Sequence, residues 1–299
     1  MNWQETTAFF SHCLPRPIGR MLLTQPEGSV REIRIRAGGN TVLVTSQGDV
    51  PCPSAFTAAQ VGQMAEALCE HALYARAEEQ RQGFVALRGG HRMGLCGRVI
   101  MQGQSVRALR EISSLCIRIA GQWPGAGDAL LPHLQDEAGA LRSLLIVGMP
   151  GSGKTTLLRD LCRSLSRQGR HMCVVDERGE IAAMLDGTPQ LDVGPNTDVL
   201  DGCCKEAGLR WMLRTMAPDA LVTDELGSPL DVQAVLETAR SGVRILATLH
   251  GRDLSSALNG GALYQLAQHR IFDRCVLLEN GSVGKIAEIC DGQLRPLAV

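Results

Sequence analysis

The chain has 299 residues, of which 44% are hydrophobic and 20% charged, and its formal net charge is −1. This composition is typical of a globular protein and excludes a disordered one, and the length is sufficient for two domains with separate cores. A near-neutral chain with only 3% aromatic residues also lacks the basic and stacking surface that is typical of nucleic-acid-binding proteins, so nucleic acid is not an expected partner.

The N-terminal stretch MNWQETTAFFSHCLPRP lacks the basic segment and the long apolar segment of a secretory signal peptide. No run approaches the ~20 apolar residues that a membrane span needs. The eleven cysteines include no CxxC pair, and several, such as Cys69, Cys116 and Cys173, lie in apolar runs. We therefore expect a cytoplasmic protein that reaches any membrane through partners, with buried reduced thiols and no structural zinc.

The N-terminal part of the chain has the patterns of a mixed α and β domain. REIRIRAG, from Arg31 to Gly38, alternates charged and apolar residues as a half-buried strand does, and TVLVT follows as its hairpin partner. AAQVGQMAEALCEHALYARAEE has apolar residues at helical spacing. QGFVALRGGHRMGLCGRVIM predicts two strands around a Gly-Gly turn, and LCIRIAG predicts another. We expect a smaller α+β domain over residues 1–125.

The stretch GQWPGAGDALLPHLQDEAGA is rich in Gly, Pro and Ala, and we place the domain boundary, with a short helix, at residues 126–140. From Leu144 onward the short apolar runs LLIVG, HMCVVDE, DALVTDE and VRILATLH alternate with helical segments. Near-continuous apolar strands separated by helices indicate a parallel sheet that is covered on both faces. The sequence therefore predicts an α/β domain with a mainly parallel sheet over residues 141–299.

The stretch GMPGSGKTT, which follows the first of these strands and opens a helix, has the spacing G-x-x-x-x-G-K-[ST] of a P-loop. Glycines let backbone N–H groups point into one concavity that holds phosphate oxygens, and the helix adds its positive N-terminal end. Lys154 is expected to neutralise phosphate charge, and the Thr155 hydroxyl to bind Mg²⁺. The predicted ATP-binding residues are Gly148, Pro150, Gly151, Ser152, Gly153, Lys154, Thr155 and Thr156.

Polar side chains follow three later strands. Asp224 and Glu225 end DALVTDE, as in a Walker B element, and Glu177 stands in the acidic stretch DERGE after CVV. Strand carboxyl ends share the edge of a parallel sheet where the glycine loop lies, so both acidic groups are expected to converge on the phosphates. We expect Asp224 to hold Mg²⁺ and either Glu225 or Glu177 to activate the attacking water. His250, at the end of ATLH, is expected to sense the γ-phosphate.

The order of GMPGSGKTT, VVDERGEIA, APDALVTDELG and ATLHG resembles that of the type II and type IV secretion ATPase superfamily of RecA-like motors. Three stretches of the N-terminal half narrow the resemblance to the stage III sporulation protein AA family, over about Glu32 to Ile289. They are EIRIRAG, QGFVALRGGHRMGLCGRV and LREISSLCIRIA. The resemblance implies a RecA-like P-loop ATPase domain. It also implies a homo-oligomer, as a hexameric ring, that powers or helps assemble a channel between mother cell and forespore. The expected location is the mother-cell cytoplasm, beside membrane proteins of that channel.

In secretion ATPases, arginines of the N-terminal domain reach the nucleotide phosphates, and the resemblance assigns this role to Arg110 and Arg118. Other arginines in matching stretches are Arg92, Arg98, Arg210 and Arg214. Two features depart from the secretion ATPases. The Walker B end is Asp-Glu rather than Gly-Glu, which leaves the catalytic carboxylate open, and the four-cysteine zinc module of many large members is absent from the sequence.

Three functions fit these motifs: a mechanical ATPase for a membrane channel, a RecA-like motor stimulated by nucleic acid, and a nucleotide-dependent scaffold that does not hydrolyse ATP. The near-neutral charge and scarce aromatic residues favour the first over the second. The third requires the acidic groups to be misplaced. Stimulation of ATP hydrolysis by single-stranded nucleic acid separates the first two functions, and an ATP turnover assay identifies the third.

Overall fold

A computed structural model of the chain describes residues 1–81, 83–258 and 263–297 and divides into two compact units. Unit 1 comprises Met1–Gly121 and Met184–Gln190, and unit 2 comprises the remaining described residues. Residues 259–262, 298 and 299 of the predicted second domain lie outside the described residues.

Unit 1 is built on a six-stranded antiparallel sheet in the order β3-β2-β1-β6-β5-β4. The strands are β1 Val30–Arg36, β2 Val42–Thr45, β3 Gly48–Pro51, β4 Phe84–Ala86, β5 Arg92–Gln102 and β6 Ser105–Arg118. Its helices are α1 Trp3–Cys13, α2 Arg16–Leu23, α3 Ala58–Leu68 and α4 Ala77–Arg81. The alternation in REIRIRAG has the predicted effect, because Ile33 and Ile35 are fully buried while Arg34 and Arg36 are not.

The long hairpin of β5 and β6 exceeds the predicted strands, because its cross-strand pairs continue out to Gln102 and Ser105. At its other end, His91 is buried in the core beside Phe10. The His91 Nδ1 accepts a 2.9 Å hydrogen bond from the Ala120 N–H, and burial lowers the pKa of the imidazole to about 4. This histidine is therefore neutral in the folded unit at ordinary pH.

Unit 2 is built on a seven-stranded sheet in the order β11-β8-β12-β13-β7-β14-β15, parallel except for the last strand. The main strands are β7 Leu144–Gly148, β8 Met172–Asp176, β11 Thr197–Asp201, β12 Ala220–Thr223, β13 Arg244–His250, β14 Arg274–Leu278 and β15 Ile286–Asp291. The helices are α5 Lys154–Arg167, α6 Lys205–Thr215, α7 Pro229–Arg240, α8 Leu254–Leu258 and α9 Tyr264–Gln268. Every residue of β7, β8 and β12 is buried, which explains their apolar sequences.

Two segments differ from the predicted division of the chain. The boundary stretch 126–140 holds a 3₁₀ helix, Asp128–Leu134, where the sequence predicts a short helix, but the whole stretch belongs to unit 2, with Leu130 and Leu134 buried. The small hairpin of β9 Met184–Leu185 and β10 Thr188–Pro189 belongs to unit 1 although it lies inside the predicted second domain. In unit 1, the Gly89 N–H donates a 3.0 Å hydrogen bond to the Gln190 side chain. This long-range contact has no local sequence signal.

The eleven cysteines are all free thiols, but only Cys69, Cys162, Cys173, Cys275 and Cys290 are fully buried. Cys96 and Cys204 are exposed, so the expectation of buried thiols is wrong at those positions. None of the helices in the described parts of the chain combines the length and the hydropathy that crossing a bilayer requires.

Candidate functional site

The glycine loop joins β7 to α5 in a shape that larger residues cannot adopt. Gly151 and Gly153 have φ of +77° and +93°, in the left-handed region that favours glycine. A Cβ on Gly148 would lie 2.6 Å from the Ser152 Oγ, which is too close. The sequence therefore needs glycine here because the backbone itself lines the concavity at the N-terminus of a 14-residue helix.

Lys154 is folded back beneath this loop. Its Nζ donates hydrogen bonds of 2.8 Å to the Gly148 carbonyl and 3.0 Å to the Met149 carbonyl. The residue is only 5% exposed. Burial lowers the pKa of the ammonium, although the charge of Glu225 opposes that shift. The lysine is thus held at the glycine loop by the carbonyls of that loop.

A chain of hydrogen bonds links Lys154 to the carboxylate of Glu225 through His250. The Lys154 Nζ lies 3.2 Å from His250 Nδ1, and His250 Nε2 lies 2.8 Å from Glu225 Oε1. An ammonium can only donate, so Nδ1 is the acceptor and the proton of the imidazole is on Nε2, which donates to Glu225. The three side chains predicted from separate motifs therefore meet at one edge of the sheet.

Glu225 is held in an unusual conformation. Its φ is +43°, and its N–H donates a 2.8 Å hydrogen bond to the Thr248 Oγ1. The second carboxylate oxygen pairs with Arg178. Burial raises the pKa of Glu225, but the His250 hydrogen bond and the nearby charges of Arg178 and Lys154 outweigh burial, so its pKa is lowered. The carboxylate is ionised, as a base that accepts a proton from water must be.

Asp224 is fully buried, and among the described residues neither of its carboxylate oxygens has a hydrogen-bond partner. Burial raises its pKa to about 7, and the negative charge of Asp176 adds to the shift. The Ser152 Oγ is another buried polar atom that has no partner among those residues. Buried carboxylate oxygens without a protein partner suit a hard cation, and Asp224 directly precedes Glu225, which His250 links to Lys154. These residues therefore fit Mg²⁺, with Asp224 and the Thr155 hydroxyl as the groups that would hold it.

The acidic stretch at the end of β8 makes contacts that differ from the predicted convergence on the phosphates. The Asp176 carboxylate accepts hydrogen bonds of 2.8 to 3.2 Å from the backbone N–H groups of residues 180–183, so it shapes the following loop. Glu177 pairs with Lys205, whose side chain is only 4% exposed. The contacts bring Glu225, rather than Glu177, to the lysine of the P-loop.

The arginines assigned from the resemblance lie in two places. Arg110 and Arg118 are exposed residues of β6 in unit 1. Arg118 lies 3.7 Å from Glu32, so an acid stands beside this arginine. Arg98 lies 3.5 Å from Glu111, and Arg92 stacks over the ring of Phe84 at 4.0 Å.

In unit 2, Arg210 joins α6 to α7. Its side chain pairs with Glu206 and, at 2.7 Å, with Glu237. Arg214 is an exposed residue of the last turn of α6. Arg210 is therefore committed to contacts between helices.

Sequence reasoning missed two charged residues of the site. Arg178, which pairs with Glu225, lies inside the quoted acidic stretch, and its position between two acids was the available signal. Lys205, which pairs with Glu177, begins α6 and has no motif around it.

The absence of structural zinc stays a prediction. At the opposite edge of the sheet, ligand atoms of His171, Cys173 and Asp198 lie within 4.8 Å of one another. The His171 Nε2 is 2.7 Å from Asp198 Oδ2, and burial raises the pKa of the Cys173 thiol to about 12. A protonated thiol beside an existing hydrogen bond favours packing over metal binding.

Comparisons with known proteins agree with the motifs. The model of the family described as sporulation stage III, protein AA, matches residues 10–295. The stage III sporulation protein AA of Bacillus subtilis (strain 168) is 38% identical over 287 residues, which cover 93% of each chain.

Solved structures show the same fold. The ATPase DotB of Legionella pneumophila superposes with a TM-score of 0.56 at 14% identity, covering 83% of this chain and 72% of that one. The pilus retraction motor PilT with bound ADP superposes with a TM-score of 0.52 at 16% identity, covering 83% of this chain and 74% of that one. The predicted α/β fold class, with its mainly parallel sheet and its smaller α+β domain, is confirmed.

Proposed function

Because the chain belongs to the sporulation stage III protein AA family, we propose that it is an ATP-hydrolysing motor of the secretion-ATPase type. The observation that carries the proposal is the hydrogen-bonded chain from Lys154 through His250 to Glu225, which follows Asp224 in the chain. The buried Asp224 carboxylate has no hydrogen-bond partner among the described residues. A packed structural loop has no need of a buried carboxylate that lacks partners. A site that takes up Mg²⁺ and a triphosphate does.

Each group has a role in this proposal. Lys154 and the loop amides bind the β- and γ-phosphates, and Mg²⁺, when bound, neutralises charge on their oxygens. Glu225 accepts the proton of the attacking water. In the present contacts both Glu225 oxygens are engaged, one by His250 and one by Arg178. A phosphate that replaces His250 as a partner of Lys154 changes the position of His250, and this makes His250 the γ-phosphate sensor that acts on Glu225.

The proposal extends to assembly. The chain would form a ring, a hexamer by family resemblance, in which Arg110 and Arg118 of the N-terminal domain supply positive charge to a nucleotide, as an arginine finger does. Both side chains are exposed, as this role requires. The ring would lie in the mother-cell cytoplasm against membrane proteins of the channel between mother cell and forespore, and would power or help assemble that channel.

The first test is ATP turnover by the purified full-length chain with Mg²⁺, with and without single-stranded DNA or RNA. The proposed motor hydrolyses ATP at a rate that the nucleic acid does not change. Strong stimulation by single strands would favour the nucleic-acid motor, and ATP binding without turnover would favour the scaffold.

The second test concerns the channel. The gene is placed in Bacillus subtilis cells that lack their own family member, which is 38% identical to this chain. The wild-type chain is expected to restore spore formation, and Lys154→Ala, expressed at the same level, is not. Restoration by both would show that nucleotide hydrolysis is dispensable for the role in sporulation.

A further inference from the structure

The turn between β14 and β15, residues 279–285, is packed against the P-loop. The Gly284 N–H donates a 2.8 Å hydrogen bond to the Ser152 carbonyl, so the two loops share a backbone contact. A Cβ on Gly153 would lie 2.9 Å from the Gly284 nitrogen and 3.2 Å from Val283 Cγ1. The glycine of the P-loop is thus also the residue that lets this turn approach.

The turn is itself well fixed. The Glu279 N–H donates a 2.8 Å hydrogen bond to the Lys285 carbonyl, and the Lys285 Nζ lies 2.8 Å from Glu279 Oε1. These contacts close the base of the turn, and the hydrogen bond from Gly284 to Ser152 holds the turn beside the glycine loop. A tip fixed in this way can serve as part of a binding surface without large ordering costs.

Val283, at this tip, is the most exposed of the large apolar side chains in the described part of the protein, with 68% of its surface accessible. An exposed valine alone has no special meaning. Its position close to the P-loop glycine, however, places an apolar surface beside the loop proposed to hold phosphates. The part of a nucleotide that gains from an apolar neighbour is the flat face of its base.

The strand order indicates which end of a bound nucleotide lies here. The residues proposed to act on the γ-phosphate, Glu225 and His250, follow β12 and end β13, on one side of β7. The strand on the other side of β7 is β14, which leads into the turn. A nucleotide whose γ-phosphate points toward β12 and β13 therefore directs its base away from them, toward the turn.

We infer that the β14–β15 turn, through Val283, forms the subsite for the base of the nucleoside triphosphate. The inference rests on the proposed function, because it assigns a further part of the same ligand. The valine side chain offers dispersion and apolar contact but no hydrogen bond, so it recognises the face of a base and not its edge. This contact raises the affinity for nucleotides over base-free polyphosphates and discriminates little between adenine and guanine.

The test compares ATP with inorganic tripolyphosphate, which carries the phosphates without a base, by calorimetric titration of the full-length chain with Mg²⁺. Val283→Ala removes two methyl groups from the proposed contact, so ATP binding is expected to weaken about fivefold. Tripolyphosphate binding is expected to stay within about twofold. Val283→Ile restores the apolar surface and should restore ATP affinity. Trp211→Ala, which truncates another exposed apolar side chain on α6, is the matched control and should change neither ligand.

The outcomes are distinguishable. If Val283→Ala weakens the binding of ATP and of tripolyphosphate equally, the turn only supports the phosphate loop. If the binding of both ligands is unchanged, the base lies elsewhere. Either result overturns the subsite while leaving the proposed ATPase intact. A wild-type chain that binds neither ligand would overturn the subsite and the proposed function together. Unfolding curves of the three variants, which are expected to match the wild type, confirm that the fold is retained.

Discussion

Replacing Asp224 with asparagine is expected to stabilise the ligand-free protein although it removes a residue of the proposed site. The carboxylate is fully buried, its oxygens lack partners among the described residues, and its pKa is raised from 3.8 to about 7. Each pKa unit corresponds to about 1.4 kcal/mol. Keeping Asp224 ionised in the folded protein therefore costs about 4 kcal/mol at pH 8.

The sign of the pH dependence follows from the direction of the shift. The folded pKa lies above the unfolded one, so the folded protein binds the proton more tightly between about pH 4 and pH 7, and stability falls as the pH rises through that window. At pH 5 the same shift costs only about 1.5 kcal/mol. Asparagine has no such titration, so the gain in unfolding free energy of Asp224→Asn should be about 3 kcal/mol larger at pH 8 than at pH 5. The unpaired amide costs about 1–3 kcal/mol at both pH values and cancels in this difference.

The assay is urea unfolding in EDTA, followed by tryptophan fluorescence, at the two pH values. Asp201→Asn, which changes an exposed aspartate at the end of the outer strand β11, is the control and should shift stability by less than about 0.5 kcal/mol. Adding Mg²⁺ and ATP should stabilise the wild type more than Asp224→Asn. If the variant gains nothing at pH 8, or gains equally at both pH values, Asp224 is not the unpaired buried carboxylate described here.

Three further predictions concern the other side chains of the two units. Glu225→Gln should retain ATP binding but trap the ATP-bound state, which nucleotide analysis of the isolated protein detects, whereas the same trapping by Glu177→Gln alone would reverse the assignment of the base. ATP turnover per chain should rise with protein concentration. Arg110→Ala or Arg118→Ala should lower turnover without changing the unfolding of the P-loop domain. Full activity in a sample that light scattering shows to be monomeric would exclude a requirement for a ring. Acid should destabilise unit 1, because burial lowers the pKa of His91 to about 4 in the folded unit. The neutral imidazole therefore contributes about 3 kcal/mol to the free energy of unfolding above pH 6.5, and this contribution is progressively lost as the pH falls toward 4. His91→Gln should remove that part of the pH dependence in hydrogen-exchange measurements.

The P-loop and the parallel sheet could be predicted from the sequence because their determinants are local. The run LLIVG is apolar since β7 is buried on both faces, and the glycines beside it are needed for backbone conformations that other residues disfavour. The strand-end rule then places Asp224, Glu225 and His250 at the same edge as Lys154 without further information. Motif order was sufficient for these positions.

The parts that could not be predicted depend on contacts between distant segments. Nothing near Asp176 in the sequence indicates that its carboxylate accepts four consecutive backbone N–H groups rather than facing the phosphates. The pairing of Arg178 with Glu225 depends on how two loops from neighbouring strands fold over the sheet edge. The approach of Gly284 to Ser152 joins residues that are far apart in the chain, and only the packing of β14 beside β7 produces it.

Steady-state ATP turnover of the purified full-length chain, measured beside Lys154→Ala, shows whether the P-loop site hydrolyses ATP. Among the described residues, the Lys154 Nζ hydrogen-bonds to two loop carbonyls and to His250, so its removal should leave the fold intact. We predict Mg²⁺-dependent turnover by the wild type and a loss on the order of a thousandfold in the variant, because one charge at the transferring phosphoryl group is missing. Equal turnover by the two proteins, or no turnover by the wild type at any protein concentration, would contradict hydrolysis at this site.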